Sequence, residues 1–194
     1  MDERIYTLRQ IAKEKGNPIL RDKSFELLLE TVRKYNPTRI LEIGVNTGLS
    51  GIAMLLNSNA KLTGIEIDED AVKMANENYK LFGVSDRVKI FQGDASEIIP
   101  VLTGEYDFIF LDGPKGHYSE YLPHLLSVLK KGGVLFSDNV LFRGYVFSTE
   151  KTPQKYNTTR FSMEKFLTAL QTDENLTTKI YQIEDGVSIT VKNK

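Results

Sequence analysis

Five short apolar runs, each with a glycine, an acid or an asparagine at or next to its end and with helix-like stretches between them, constrain this chain more than any other feature. "RILEIG" (39–44), "KLTGIEI" (61–67), "VKIFQG" (88–93), "YDFIFLD" (106–112) and "GVLFSDN" (133–139) read as strands. Residues 49–57, 69–83, about 95–102 and 118–130 read as the helices between them. Within 69–83, Ala71, Met74, Ala75, Asn78 and Phe82 recur at helical spacing, and Gly83 is placed to cap the end. Strands alternating with helices of this length form βαβ units, so the α/β class and a mainly parallel sheet with helices on both faces follow. The tail differs. "FSMEKFLTALQ" (161–171) reads as a helix, and "TKIYQI" (178–183) and "VSITVK" (187–192), joined by "EDG", read as an antiparallel hairpin. The expectation is seven strands in a single domain over 1–194, with a helical segment at 1–38 and a Rossmann-like core at 39–194.

Composition narrows the setting. Hydrophobic residues make up 41% and charged residues 26%, values of an ordinary globular chain. The absence of cysteine excludes a disulfide framework and any thiolate metal site, and fits a reducing compartment. The start, "MDERIYTLRQIAKEKG", is charged and lacks the apolar stretch of a signal peptide. No apolar run approaches the ~20 residues that span a bilayer, so no membrane partner and a cytoplasmic location are expected. The net charge of −1 provides no global attraction to nucleic acid, though a local basic patch remains compatible with it.

In open α/β sheets, ligands bind beyond the carboxyl ends of the strands. Those ends carry Glu42 to Gly48, Glu66, Asp94, Asp112, and Asp138 with Asn139. "EIGVNTGLSG" (42–51) follows the first strand and opens a helix. Glycines there let the backbone turn and approach a ligand, and the helix start offers free N–H groups. The spacing is G-x-x-x-G. Asn46 stands where a dinucleotide fingerprint has its middle glycine, and no G-K-[ST] of a phosphate loop follows. A glycine turn in an unrelated α/β protein is the plainer alternative.

E-x-G-x-x-x-G resembles the first motif of class I S-adenosylmethionine (SAM) methyltransferases. In that resemblance Glu66, 22 residues after Gly44, accepts hydrogen bonds from ribose hydroxyls. "GDA" (93–95) resembles the segment that sets an aspartate beside adenine, and Ser50 takes the place of a serine that holds the SAM carboxylate. The implied cofactor contacts are Glu42, Gly44, Asn46, Gly48, Ser50, Glu66, Ile67, Gly93, Asp94, Ala95 and Asp112. An Asn/Asp-Pro-Pro-aromatic motif of amino-group methyltransferases is not found after the fourth strand, where "DGPKGHY" stands instead.

That stretch resembles the cation-dependent O-methyltransferases, the family of catechol and caffeoyl-CoA O-methyltransferases. Their fourth strand ends in D-x-x-K and their fifth in D-N. This chain has Asp112-Gly113-Pro114-Lys115 and then Asp138-Asn139. The likeness runs from about residue 18 through "DGVSITVK". It implies that Asp112, Asp138 and Asn139 hold a divalent metal, Mg²⁺ or another such as Mn²⁺ or Ca²⁺, because two carboxylates and an amide oxygen are hard ligands. Such an ion lowers the pKa of a hydroxyl that it binds. Asp112 and Lys115 are then the catalytic pair, with Lys115 placed to take the proton or steady the anion. Structural alternatives stay open: Asp112 as a helix cap, Asp138-Asn139 as a turn, and Lys115 as a solvated lysine.

The acceptor should be read from 140–162, which has no clear regular structure. It mixes Phe142, Tyr145, Phe147 and Tyr156 with Arg143, Lys151, Lys155 and Arg160, against one acid, Glu150. Aromatics interleaved with cations stack bases and bind phosphates. "DNVLFRGYV" resembles the matching segment of bacterial tRNA 5-hydroxyuridine methyltransferases, members of the same family. The expected acceptor is therefore tRNA 5-hydroxyuridine, with a small phenol or catechol as the alternative and a non-catalytic SAM- or nucleotide-binding protein as the second. His117, Phe142, Arg143 and Tyr145 are the candidate substrate contacts. Many relatives carry a longer N-terminal extension that helps form the dimer. A homodimer is expected here too, and the short start would leave the site open to a macromolecule.

Overall fold

The computed structural model describes residues 3–14, 16, 18–149 and 151–194. Seven strands form one sheet in the order β3-β2-β1-β4-β5-β7-β6. They are β1 (Arg39–Ile43), β2 (Lys61–Glu66), β3 (Val88–Gln92), β4 (Tyr106–Leu111), β5 (Leu129–Asp138), β6 (Leu176–Tyr181) and β7 (Val187–Lys192). The first five pair in parallel, β7 runs antiparallel to β5, and β6 closes the edge against β7. The helices are α1 (Glu3–Glu14), α2 (Asp22–Tyr35), α3 (Leu49–Leu56), α4 (Glu69–Leu81), α5 (Ala95–Ile98), α6 (Tyr118–Val128) and α7 (Asn157–Thr172). Among the described residues, no helix is long and apolar enough to cross a membrane.

The central strands are apolar throughout because both their faces are covered. Ile40, Phe108, Phe110, Val134 and Phe136 pack with Leu28, Leu29, Ile52 and Tyr79 on one face, under α1–α4. Leu41, Ile43, Ile109, Leu111 and Leu135 pack with Tyr118, Leu125, Phe166 and Leu167 on the other, under α5–α7. Alternate residues of one strand thus feed two separate cores.

The expected elements are all present; β6 starts and ends two residues before the expected 178–183, and four further shifts stand out. The first lies in α4, which turns a different face inward: Ala75, Tyr79 and Phe82 are buried, whereas Met74 is 45% exposed. Asn78 serves instead as a tie, its Nδ2 donating to Thr47 O at 2.9 Å. The second is β5, which starts at Leu129 rather than 133 and takes over the end of the expected helix 118–130. Leu129 pairs with Tyr106, and the register then jumps so that Val134 meets Phe108. Gly132, at φ 76, provides the turn inside this irregularity. The third is α5, a single turn continued by a 3₁₀ turn at Ile99–Val101. The fourth is α7, which begins four residues before the expected 161, because its polar first turn, Asn-Thr-Thr-Arg, shows no apolar period.

Two segments far apart in sequence converge on the carboxyl end of β5. The hairpin turn 182–186 places Glu184 over the start of α2, where its carboxylate accepts from the N–H groups of Lys23 at 3.2 Å and Ser24 at 3.0 Å. Arg21, the N-cap residue itself, makes no side-chain cap bond. The same turn holds the segment after Asn139: Val140 N donates to Gly186 O at 3.0 Å and Leu141 N to Asp185 O at 2.9 Å. Glu184→Ala should therefore cost about 1 kcal/mol of stability, the usual worth of a helix cap, read from urea unfolding. An unchanged midpoint would reduce these contacts to solvated ones.

Candidate active site

Gly44 is where the site is made. It follows β1 at φ 88. A Cβ there would lie 2.5 Å from Asp112 O, so no larger residue fits while β1 and β4 stay this close. Asp112 N donates to Ile43 O at 3.0 Å, and Gly44 N donates to Ile65 O at 3.0 Å. The ends of β2, β1 and β4 are thereby locked side by side. Asn46, in the expected glycine position, takes a left-handed φ of 48, which asparagine tolerates better than most residues.

Three hollows open on this edge. One cleft of about 320 Å³ is lined by Gly44, Asn46, Ser50, Glu66, Asp112, Lys115, Asp138 and Asn139, together with Arg9 and Pro18 to Arg21. A second, also about 320 Å³, is lined by Glu66, Ile67, Gly93, Asp94, Ala95, Pro114, His117 and Tyr121. Gly44 and Glu66 border both. The third is open and about 800 Å³, bordered by Arg21, Lys115, Asn139, Phe142, Arg143, Glu184 and Asp185.

Glu66 Oε2 accepts from Asn46 N at 2.7 Å, and Oε1 accepts from Ile67 N at 2.9 Å and Asp68 N at 3.0 Å. This fixes the carboxylate between the two clefts. Asp94 Oδ1 caps α5 through Ser96 N at 2.8 Å, and its bonds to Ser96 hold the carboxyl below the usual range.

Asp112 follows β4 and Asp138 ends the neighbouring β5, with Leu111 opposite Ser137. Lys115 Nζ is 2.7 Å from Asp112 Oδ1. Burial pushes the Asp112 carboxyl up and Lys115 pulls it back. Asp138 is 3% exposed, and its Oδ1 is buried without a partner. Burial first and the Asp112 charge second push its pKa to about 7. Asn139 sits at φ 57, turning the chain out of β5. Among the described residues, no three His, Cys, Asp or Glu side chains converge as a metal cluster. The oxygen set here is two carboxylates and the amide of Asn139.

Four expected contacts stand elsewhere. Glu42 is 0% exposed, beneath the glycine loop rather than in a cleft, and reaches the surface only through Ser50, whose hydroxyl donates to Glu42 Oε1. Burial lifts its pKa to about 8, with Asp112 and Glu66 adding to the rise and Ser50 opposing it. Gly48 caps α3 at φ 81 and lines none of the three hollows. His117 lines the cleft of Gly93 and Asp94, stacked on Tyr121 at 5.8 Å and tied to Glu120 at 2.8 Å, because α6 begins there and swings it away from Asn139. Tyr145 packs on Phe142 and Tyr156, at ring distances of 6.2 and 5.6 Å, instead of lining the open hollow.

The 140–162 segment is less free than its composition implies. Arg160 is spent on Glu164 at 2.8 Å, Thr152 at 2.8 Å and Ser148 O at 3.1 Å. Arg143 Nη1 donates to Tyr156 Oη at 3.0 Å, and its backbone N–H to Asp185. Glu150 lies outside the described residues. Phe142, Arg143 and Phe147 hold positive φ, an uncommon state for such side chains; ties from Val140, Leu141 and Arg143 to Gly186 and Asp185 help maintain the first two, and Phe147 N donates to Glu164 Oε1 at 3.3 Å.

Arg9 is a cleft residue that the sequence did not single out. It is 3% exposed, donates to Leu20 O and Asp22 Oδ1 at 2.8 Å, and lies 3.8 Å over the Phe25 ring. No motif marks it; a lone arginine on an amphipathic helix looks solvated until its tertiary partners are known.

The match to the O-methyltransferase family model covers residues 7–193, so the chain belongs to the O-methyltransferase family. It is a SAM-dependent O-methyltransferase, and its relatives include caffeoyl-CoA and catechol O-methyltransferases. Tapetum-specific methyltransferase 1 of Arabidopsis thaliana is 31% identical over 183 residues, 91% of this chain and 77% of that one. Catechol O-methyltransferase of Mus musculus is 32% identical over 136 residues, 63% of this chain and 50% of that one. A solved Staphylococcus aureus structure, provisionally assigned as a caffeoyl-CoA O-methyltransferase, superposes with a TM-score of 0.88 at 27% identity, covering 97% of this chain and 91% of that one.

The buried Glu42 carboxyl makes stability pH-dependent. Its folded pKa is raised from 4.5 to about 8, so its contribution is complete below pH 4.5 and is lost as pH rises through about 8. Glu42→Gln should flatten the fall in stability across that window, read by urea unfolding at a series of pH values. An unaltered slope would place the titration on another group.

Proposed function

We propose that this protein methylates one of two neighbouring oxygens on a small catechol-type phenol, with SAM as donor and a divalent cation held by Asp112, Asp138 and Asn139. The observation that carries the reading is the meeting of these three with Lys115 in one cleft, where Asp138 Oδ1 is buried and lacks a partner. An oxygen-only donor set with an orphaned carboxylate oxygen fits a hard cation. The mouse relative's name, catechol O-methyltransferase, supports the acceptor class.

SAM provides an electrophilic methyl group, and the cation lowers the pKa of the acceptor hydroxyl. This chain supplies position and charge. Glu66, fixed by three backbone N–H groups, presents its carboxylate between the clefts to the ribose, and Asp94 borders the purine side. Ser50 faces the methionine part from the cleft of Asp112. Lys115 Nζ would steady the negative charge that develops on the acceptor oxygen as its proton passes to solvent; the O–CH3 bond then forms as the S–CH3 bond breaks, leaving S-adenosylhomocysteine. Much of the acceleration comes from alignment of donor and acceptor within the cleft of Ser50, Asp112, Lys115, Asp138 and Asn139.

A second reading, tRNA 5-hydroxyuridine as acceptor, draws on the cluster of Phe142, Tyr145 and Tyr156 with Arg143 beside the open hollow. Transfer of labelled methyl from SAM to a catechol and to hydroxyuridine-containing tRNA, each with Mg²⁺ and with EDTA, separates the two. The expected result is labelling of the catechol that EDTA abolishes. Labelling of the tRNA alone would move the reading to RNA, and EDTA-resistant labelling would remove the cation. Asp138→Ala should abolish turnover while S-adenosylhomocysteine still binds, and Lys115→Ala should lower kcat about a hundredfold with little change in cofactor affinity.

A further inference from the structure

Tyr79 is fully buried on α4, beneath the glycine loop. Its ring lies against the loop: a Cβ at Gly48 would meet Tyr79 Cζ at 3.0 Å. Its neighbour Asn78 holds Thr47 O from the same helix. The Tyr79 hydroxyl is buried without a hydrogen-bond partner, and so is Glu42 Oε2. Both crowd one point beside Gly51, where a Cβ would lie 2.3 Å from Tyr79 Oη and 2.7 Å from Glu42 Oε2. Glu42 Oε1 is already engaged by Ser50, which lines the main cleft.

We infer that Tyr79 is a positioning residue for the cofactor site: its hydroxyl and Glu42 Oε2, which face one point beside Gly51 but make no bond as they stand, come together as a pair, and the pair fixes the Glu42–Ser50 bond and the glycine loop above it. Buried polar groups cut off from water satisfy one another. A phenol donates to a carboxylate and accepts from a carboxylic acid, so the pairing serves both states of Glu42. The absence of a side chain at Gly51 is what leaves the two oxygens together. The result is a relay from α4 through Tyr79 and Glu42 to Ser50. Its effect on SAM rests on the proposed role of Ser50 and the loop as cofactor contacts.

A double-mutant cycle tests it with Tyr79→Phe, Glu42→Met and the double variant, reading S-adenosylhomocysteine affinity by calorimetry and the melting temperature of each. Phenylalanine keeps the ring under Gly48, and methionine keeps an unbranched side chain at Glu42. Tyr79→Phe should weaken S-adenosylhomocysteine binding about tenfold in the wild-type background and leave it unchanged in the Glu42→Met background, since coupled residues are not additive. A purely space-filling Tyr79 would give no such coupling. Wild-type affinity in Tyr79→Phe, or losses that multiply independently, would overturn the pairing. If the wild-type protein fails to bind S-adenosylhomocysteine, the cofactor reading falls, and the coupling between melting temperatures alone decides the Tyr79–Glu42 pair: coupled shifts uphold it and additive shifts overturn it.

Discussion

The close approach of β1 and β4 at Gly44 and Asp112 is the constraint on which the rest of this structure depends. The sheet changes direction here, with β2 and β3 laid to one side of β1 and β4 and β5 to the other. Strand ends normally diverge at such a point and leave a crevice. Here the Asp112 N–H to Ile43 O bond and the missing side chain at Gly44 keep the crevice narrow on its floor. The two clefts meet over that floor, sharing Gly44 and Glu66.

Placing acids on adjacent strand ends has an electrostatic consequence. Glu42, Asp112 and Asp138 are all pushed upward, first by burial and, for Glu42 and Asp138, also by neighbouring carboxylates. Lys115 is the cation at the cleft that opposes this, pairing directly with Asp112. Glu66 is held by three backbone N–H groups around its carboxylate. Like charges concentrated in a low-dielectric edge favour a cationic ligand or proton uptake. The arrangement suits a site that takes up the positive charge of SAM.

The wall facing these acids comes from both ends of the chain. Arg9 and the segment 18–21 line the main cleft, and Arg9 is anchored to Asp22 at the start of α2. Glu184 and Asp185, in the last hairpin, hold that same helix start and the turn after Asn139. The antiparallel hairpin therefore does more than extend the sheet. It ties the N-terminal helices to the strand end that carries Asp138.

The apolar runs and their closing residues determined the sheet, the two helical layers and the row of acids by themselves, because strand period and turn chemistry are local properties. The D-x-x-K and D-N pair was legible for the same reason: each sits at a strand end, and strand ends share one edge. What only the tertiary structure decided is which side chains reach a cleft. Glu42 looked like a ligand contact and lies beneath the loop; His117 belongs to the Asp94 side; Arg160 is consumed by Glu164 and Thr152. Arg9 and Glu184 carried no sequence signal, since their partners lie 13 and 160 residues away in Asp22 and Ser24. Composition counts charges and rings, but burial and long-range hydrogen bonding assign them, and those exist only once the chain has packed.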